Sequence, residues 1–147
     1  MSVVSTIILA LTLQHGYSLR TIPDFPEGPI IKACKEQYPM KHETIRNILG
    51  HISVPEDRNA QCFIGCLSRR TGVIENGSVN WLRCEAVMRS FWKKESDRSI
   101  ITKVAEACSN QVGSNVEDDC ELARQMSVCK KQRGDEFGLE GLEFVTS

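Results

Sequence analysis

The chain has 147 residues, 41% of them hydrophobic and 25% charged, and its 18 Lys and Arg balance 19 Asp and Glu to a net charge of −1. This length fits one domain, and the balanced charge gives no electrostatic reason to expect a nucleic-acid partner. An apolar run of about 18 residues is also absent, so the sequence predicts no membrane insertion.

The N-terminal segment has the composition of a secretory signal. Residues 1–18 contain no Lys, Arg, Asp or Glu, and their apolar run is too short to span a bilayer. Gly16 and Ser18 supply the small residues that signal peptidases require, so we predict a signal peptide over 1–18. A buried N-terminal helix is the alternative. The mature chain, 19–147, is then expected to be one secreted, extracellular domain whose cysteines can pair.

After the signal, apolar residues recur at helical rather than alternating spacing, and Gly and Pro separate the segments. Pro29 suits the first turn of a helix, and Gly50 and Gly72 suit helix ends. The predicted helices cover about 29–38, 41–49, 56–71, 79–94, 99–111 and 118–130. The fold class predicted from this pattern is all-α, with about six helices.

Two segments outside these helices carry specific predictions. Residues 73–78 are predicted to form a loop with a turn at Asn76-Gly77, and Asn76 also begins an N-glycosylation acceptor sequence, so it is a possible glycosylation site. Residues 133–147 are predicted to form a C-terminal tail. Gly134 and two later glycines are expected to interrupt any helix there, although the tail keeps several apolar side chains.

The seven cysteines leave one unpaired if the others pair internally. Cys120 and Cys129 lie about 13.5 Å apart along one predicted helix and cannot bridge. Cys62 and Cys66 are one turn apart and point in nearly the same direction, which disfavours a bridge between them. Cys84 lies in the apolar stripe of the fourth helix and is best assigned as a buried free thiol. An intermolecular disulfide through Cys84 is the alternative, so we expect a monomer or a weak dimer.

Zinc is a poor explanation for these cysteines. A structural zinc site needs four converging ligands, and neither His42 nor His51 lies at a suitable spacing from Cys62 and Cys66. We therefore expect neither a metal nor another cofactor.

Without Cys84, the cysteine spacing is Cys34-x27-Cys62-x3-Cys66-x41-Cys108-x11-Cys120-x8-Cys129. Together with Cys62-Phe63-x-x-Cys66-Leu67-Ser68 and the following Thr71-Gly72, this spacing resembles the insect odorant-binding protein family, also called the PBP/GOBP family. The resemblance extends from Ile30 to Lys130. It implies three interlocked disulfides around an apolar cavity, paired as Cys34–Cys66, Cys62–Cys120 and Cys108–Cys129.

The resemblance also implies a function. Proteins of this kind carry small apolar molecules such as odorants and pheromones through extracellular fluid to membrane chemoreceptors, and they are not enzymes. Ser68 corresponds to a hydroxyl that can bond a ligand's polar end, the alternative being a helix serine that bonds its own backbone. The candidate ligand-binding residues are Ile64, Ser68, Val73, Trp81, Met88, Ile101, Ala105, Leu122 and Met126. For the apolar positions, ordinary core packing is the alternative.

Three further hypotheses remain open at this level. The tail could be a lid over the cavity mouth, docking according to carboxylate protonation and the titration of His42 or His51, or it could be a frayed end. A carrier or scavenger of lipids or hormones outside chemosensation would have the same fold. A small secreted hydrolase is a remote alternative, because neither histidine has the sequence context of a catalytic base.

Overall fold

The computed structural model describes residues 28–142, so the predicted signal peptide and the last five residues lie outside it. The regular elements of the described chain are helices, as predicted, together with one short hairpin. Its elements are α1 (Pro29–Gln37), α2 (His42–Leu49), α3 (Arg58–Arg70), β1 (Ile74–Glu75), β2 (Ser78–Val79), α4 (Trp81–Phe91), α5 (Glu95–Gln111) and α6 (Asp119–Phe137). Over this range, none of the helices combines the length and apolarity needed to cross a bilayer.

Side-chain caps explain where three of the helices begin. Asp57 accepts a hydrogen bond from the Ala60 backbone N–H at the start of α3, and Asn80 and Asp118 serve in the same way for α4 and α6. Such caps satisfy N–H groups that have no partner within the helix. They place the first residues of α3 and α4 two positions later than the apolar periodicity predicts.

The predicted loop between α3 and α4 contains a two-stranded hairpin. Ile74 pairs with Val79 and Glu75 with Ser78 in antiparallel register. Asn76 and Gly77 form the predicted turn with φ of 50° and 75°, the left-handed conformations that a tight hairpin turn requires. Each strand has only two residues, which is too short for an alternating pattern to reveal it.

The predicted end of the last helix was wrong. The sequence predicts a stop near residue 130 and an interruption at Gly134, yet α6 continues through Gly134 to Phe137. A glycine inside a helix costs only about 1 kcal/mol, which is too little to end α6 at Gly134. The helix ends at Gly138, whose φ is 85°, and the Leu139 N–H donates to the Gly134 carbonyl at 2.7 Å.

Three disulfides tie the helices together, and they are the pairs that the resemblance implies. Cys34–Cys66 joins α1 to α3, Cys62–Cys120 joins α3 to α6, and Cys108–Cys129 joins α5 to α6. The central helices α3 and α6 therefore each carry two of them. Cys84 is a buried free thiol. The clamped helices surround a core that includes Phe63, Ile101 and Leu122, all fully buried.

Candidate ligand-binding site

Two adjacent pockets lie among α1, α2, α3, α4 and α6. We call the first the apolar pocket; it has a free volume of about 70 Å³, and its own wall includes Ile30, Ile31, Leu67, Ser68, Thr71, Val73, Cys84 and Met126. We call the second the His51 pocket; it has about 60 Å³, and its own wall includes Ile48, His51, Ser53, Trp92, Ser127 and Lys131. The two share a wall made of Leu49, Ile64, Val87, Met88, Phe91 and Lys130.

Helical periodicity positions most of this wall. Residues four apart lie on the same face of a helix. Three of the surrounding helices accordingly contribute such a pair to the apolar pocket: Ile64 and Ser68 from α3, Cys84 and Met88 from α4, and Met126 and Lys130 from α6. Val73 follows α3 and also lines the apolar pocket.

The nine predicted ligand-binding residues divide into two groups. Five line the apolar pocket: Ile64, Ser68, Val73, Met88 and Met126. The other four line neither of the two pockets. Ile101, Ala105 and Leu122 are buried in the core, and Trp81 is half-buried against it.

Several wall residues are not predicted from the sequence. Val87 and Phe91 lie in the same apolar stripe of α4 as Met88, so the stripe already carried a signal for them. Ile31 of α1 and Leu49 of α2 are apolar residues of short helices with no pattern that separates pocket from core. Lys130 carried no signal, because a charged side chain is ordinarily assigned to the solvent face.

Two hydroxyl groups in the apolar pocket differ in their bonding. The Thr71 hydroxyl donates to the Leu67 carbonyl at 2.8 Å, so its donor is already in use. Ser68 is buried, with 6% of its surface exposed, and among the described residues its hydroxyl has no hydrogen-bond partner. Ser68 is therefore the hydroxyl that is free to bond a guest molecule.

His51 is the polar group of the second pocket. It follows α2 with a left-handed φ of 56°, and its ring packs edge-on against Trp92 with 4.8 Å between ring centroids. Its Nδ1 is buried without a hydrogen-bond partner in the described part of the chain. Burial first, and then the positive charges of Lys130 and Lys131, hold the pKa of His51 well below its ordinary value of 6.5. His51 is consequently neutral at pH 7.

The free thiol belongs to the same site. Cys84 is 2% exposed and lines the apolar pocket. Burial is the main cause that raises the pKa of the Cys84 thiol, opposed by the charge of Lys130. The protonated thiol contributes a small, weakly polar surface to the pocket wall.

The segment after α6 folds back beside the His51 pocket. Leu139 is buried, the Trp92 indole N–H donates to the Glu140 carbonyl at 3.0 Å, and the Leu142 N–H donates to the Gly50 carbonyl at 2.8 Å. Residues 138–142 are therefore attached to the residues that flank and line this pocket.

The remaining candidates lie away from both pockets. Asn76 is exposed at the hairpin turn. Between residues 28 and 142, no group of His, Cys, Asp or Glu side chains is arranged to hold a metal ion.

Six helices clamped by three disulfides around apolar pockets define a small helical binding protein. The model of the PBP/GOBP family matches residues 28–133, and the chain belongs to this family, the insect odorant-binding proteins. Its members are non-enzymatic carriers of hydrophobic odorants and pheromones, so family membership argues against the hydrolase alternative. Neither the curated proteins nor the solved structures include a match to this chain.

Proposed function

We propose that this protein is a secreted carrier that binds one small hydrophobic molecule reversibly across the two adjacent pockets and delivers it to a membrane chemoreceptor. The observation that carries this proposal is the shared wall, because a ligand that displaces side chains of this wall can occupy both pockets at once. Family membership supports the carrier role, and the signal-like composition of residues 1–18, which lie outside the described chain, supports secretion. Burial of apolar surface would supply the affinity, at about 25 cal/mol per Å².

The pocket volumes imply that binding rearranges the shared wall. Each pocket, at about 60 or 70 Å³, is smaller than the cavity of about 150 Å³ that accepts benzene in an engineered protein. Met88 lies on the shared wall and is 3% exposed. Because methionine is flexible and adapts to irregular spaces, we infer that Met88 moves aside when a ligand joins the pockets.

A pair of variants on α4 tests the binding site. Met88→Trp should fill the free volume beside the shared wall. Binding of the uncharged fluorescent dye phenylnaphthylamine should then weaken by at least about tenfold, which corresponds to a loss of roughly 1.4 kcal/mol. Leu82→Trp is the matched control, because Leu82 lies on the same helix with 83% of its surface exposed. Equal affinities of the two variants would contradict the proposal, as would failure of the wild-type protein to bind the dye. Thermal unfolding shows whether both variants are folded.

We also propose that residues 138–142 act as a lid over the His51 pocket. The backbone hydrogen bonds of Glu140 and Leu142, which hold this segment beside the pocket, support this role. His51 is neutral at pH 7, and a positive charge on it would disturb these contacts. A chain ending at Gly138 keeps α6 complete and is the appropriate truncation. Because the pKa of His51 lies well below 6.5, the dye affinity of the full chain should stay constant until the pH falls below that lowered pKa and should then decrease, and that of the truncated chain should change less. Identical pH profiles would exclude the lid.

A further inference from the structure

Lys130 differs from every other basic residue of α6. Arg124 pairs with Glu121 at 2.6 Å, Lys131 with Asp135 at 2.6 Å, and Arg133 with Glu136 at 2.7 Å. Within residues 28–142, Lys130 alone among the basic residues of this helix has neither an ion pair nor a hydrogen bond. It is half-buried and lies on the wall that the two pockets share.

The walls of the two pockets offer Lys130 no opposite charge. Neither pocket wall, over the described residues, contains an Asp or Glu side chain. A cation beside apolar groups such as Val87, Phe91 and Met126 loses hydration, and this loss is costly unless an anion replaces the water. The pockets therefore combine an apolar interior with one uncompensated positive charge at their junction.

A second polar group without a partner belongs to a residue of the neighbouring pocket. His51 lines that pocket, and over the described residues its buried Nδ1 has no hydrogen-bond partner. In the tautomer that carries its proton on Nδ1, neutral His51 can donate one hydrogen bond to an oxygen atom. An ammonium group and an imidazole N–H together match the two oxygens of a carboxylate.

We propose that Lys130 and His51 form a head-group subsite that selects amphiphilic organic acids. The ligand's carboxylate pairs with the Lys130 ammonium and accepts a hydrogen bond from His51, and its hydrocarbon chain extends past Met88 into the apolar pocket. This inference rests on the proposed carrier function and specifies the chemical class of the ligand. It gives a role to the unpaired lysine on the wall that the two pockets share.

Competition at neutral pH among ligands of equal chain length tests the subsite. Decanoic acid should displace phenylnaphthylamine from the wild-type protein at concentrations at least about tenfold lower than decanol or methyl decanoate, because a charge-assisted hydrogen bond contributes more than a neutral one. Lys130→Met should remove this preference, so that the acid displaces the dye no better than decanol or the ester does. Lys130→Arg keeps the charge and should keep the preference.

Lys103→Met is the control for net charge, because Lys103 is exposed on α5 and lines neither pocket. It should retain the preference for the acid. The inference is overturned if the wild-type protein binds the acid no better than the ester, or if Lys130→Met and Lys103→Met weaken acid binding equally. In either case, continued displacement by decanol would leave the carrier function standing. A wild-type protein that binds no dye would contradict both.

Discussion

The indole N–H of Trp92 donates a hydrogen bond of 3.0 Å to the backbone carbonyl of Glu140, 48 residues later in the chain. Trp92 directly follows α4, and Glu140 lies in the segment that follows α6. The bond therefore joins the ends of two helices beside the His51 pocket. Because the Trp92 ring also lines that pocket, its position links the C-terminal segment to the binding site.

Trp92→Phe should remove this bond and keep an aromatic ring in place. The loss of one buried hydrogen bond should lower the free energy of unfolding by about 1–2 kcal/mol, measured by urea denaturation. Amide hydrogen exchange at Leu142 should accelerate, because the segment is held by one contact fewer. Trp81→Phe is the control, since Trp81 is half-buried and has no hydrogen bond to this segment. Equal acceleration of exchange in both variants would refute the role of the bond.

Gly50→Ala should displace the C-terminal segment from the end of α2. A Cβ atom at Gly50 would collide with the backbone carbonyl oxygen of Leu142, and a backbone atom cannot swing away as a side chain can. We expect a loss of about 1–3 kcal/mol in unfolding free energy and faster amide exchange at Leu142. Gly113→Ala should change neither the unfolding free energy nor the amide exchange at Leu142 to this extent, because a Cβ at Gly113 meets only side-chain atoms, at 3.4 Å and beyond. Slow exchange at Leu142 in the Gly50 variant would contradict the prediction.

His51 should make stability fall in mildly acidic solution. Its pKa in the folded protein lies well below 6.5, so between those two values the unfolded chain binds more protons than the folded chain. Stability is therefore constant above about pH 6.5 as far as His51 is concerned, and it falls below that pH by up to about 1.4 kcal/mol per unit until the folded pKa is reached.

The variant His51→Asn isolates this contribution. Asparagine tolerates the left-handed φ of 56° at this position and does not titrate. Below pH 6.5, and until the protein unfolds in acid, the unfolding free energy should fall less steeply with decreasing pH in the variant than in the wild type. The difference in slope should be at most that of one bound proton, about 1.4 kcal/mol per pH unit. An unchanged slope would show that His51 is not the titrating group.

Cys84 should behave as a protected thiol whose accessibility reports on the pocket. Cys84 is 2% exposed and burial raises its pKa, so its alkylation in the native protein should be at least about a hundredfold slower than in denaturant. In denaturant, one thiol per chain should react. A bound ligand should slow native alkylation further, since the thiol lines the apolar pocket. Non-reducing electrophoresis should show no dimer linked through Cys84. If native Cys84 is alkylated rapidly, and at the same rate with and without ligand, the thiol lies outside the binding site.

Ser68→Ala should weaken binding of a long-chain alcohol by about fivefold, corresponding to one hydrogen bond of roughly 1 kcal/mol. Binding of a hydrocarbon of the same length should not change. Thr71→Val removes a hydroxyl that already donates to the Leu67 carbonyl, so it should not discriminate between the two ligands. Dye displacement measures all four affinities. Equal effects of Ser68→Ala on alcohol and hydrocarbon would assign Ser68 to packing alone.

Local patterns in the sequence were sufficient to predict the helices and the turn. Apolar spacing, first-turn proline and glycine stops act within one or two turns of chain, so they can be read without knowing the fold. The cysteine spacing supplied the long-range information, because its resemblance to the family implied all three pairs found in the structure. The same local rules failed at Gly134, which lies inside α6 although glycine disfavours a helix interior.

The sequence by itself determined that α4, α5 and α6 each bury one face, and it could not determine what that face meets. Met88 borders free volume, whereas Ile101 and Leu122, equally apolar and equally periodic, are packed against neighbours. Only the arrangement of helices in space separates these outcomes, because a void depends on side chains from several elements at once. The position of Lys130 between the two pockets was likewise decided by tertiary structure, since no local pattern assigns a charged residue to an apolar wall.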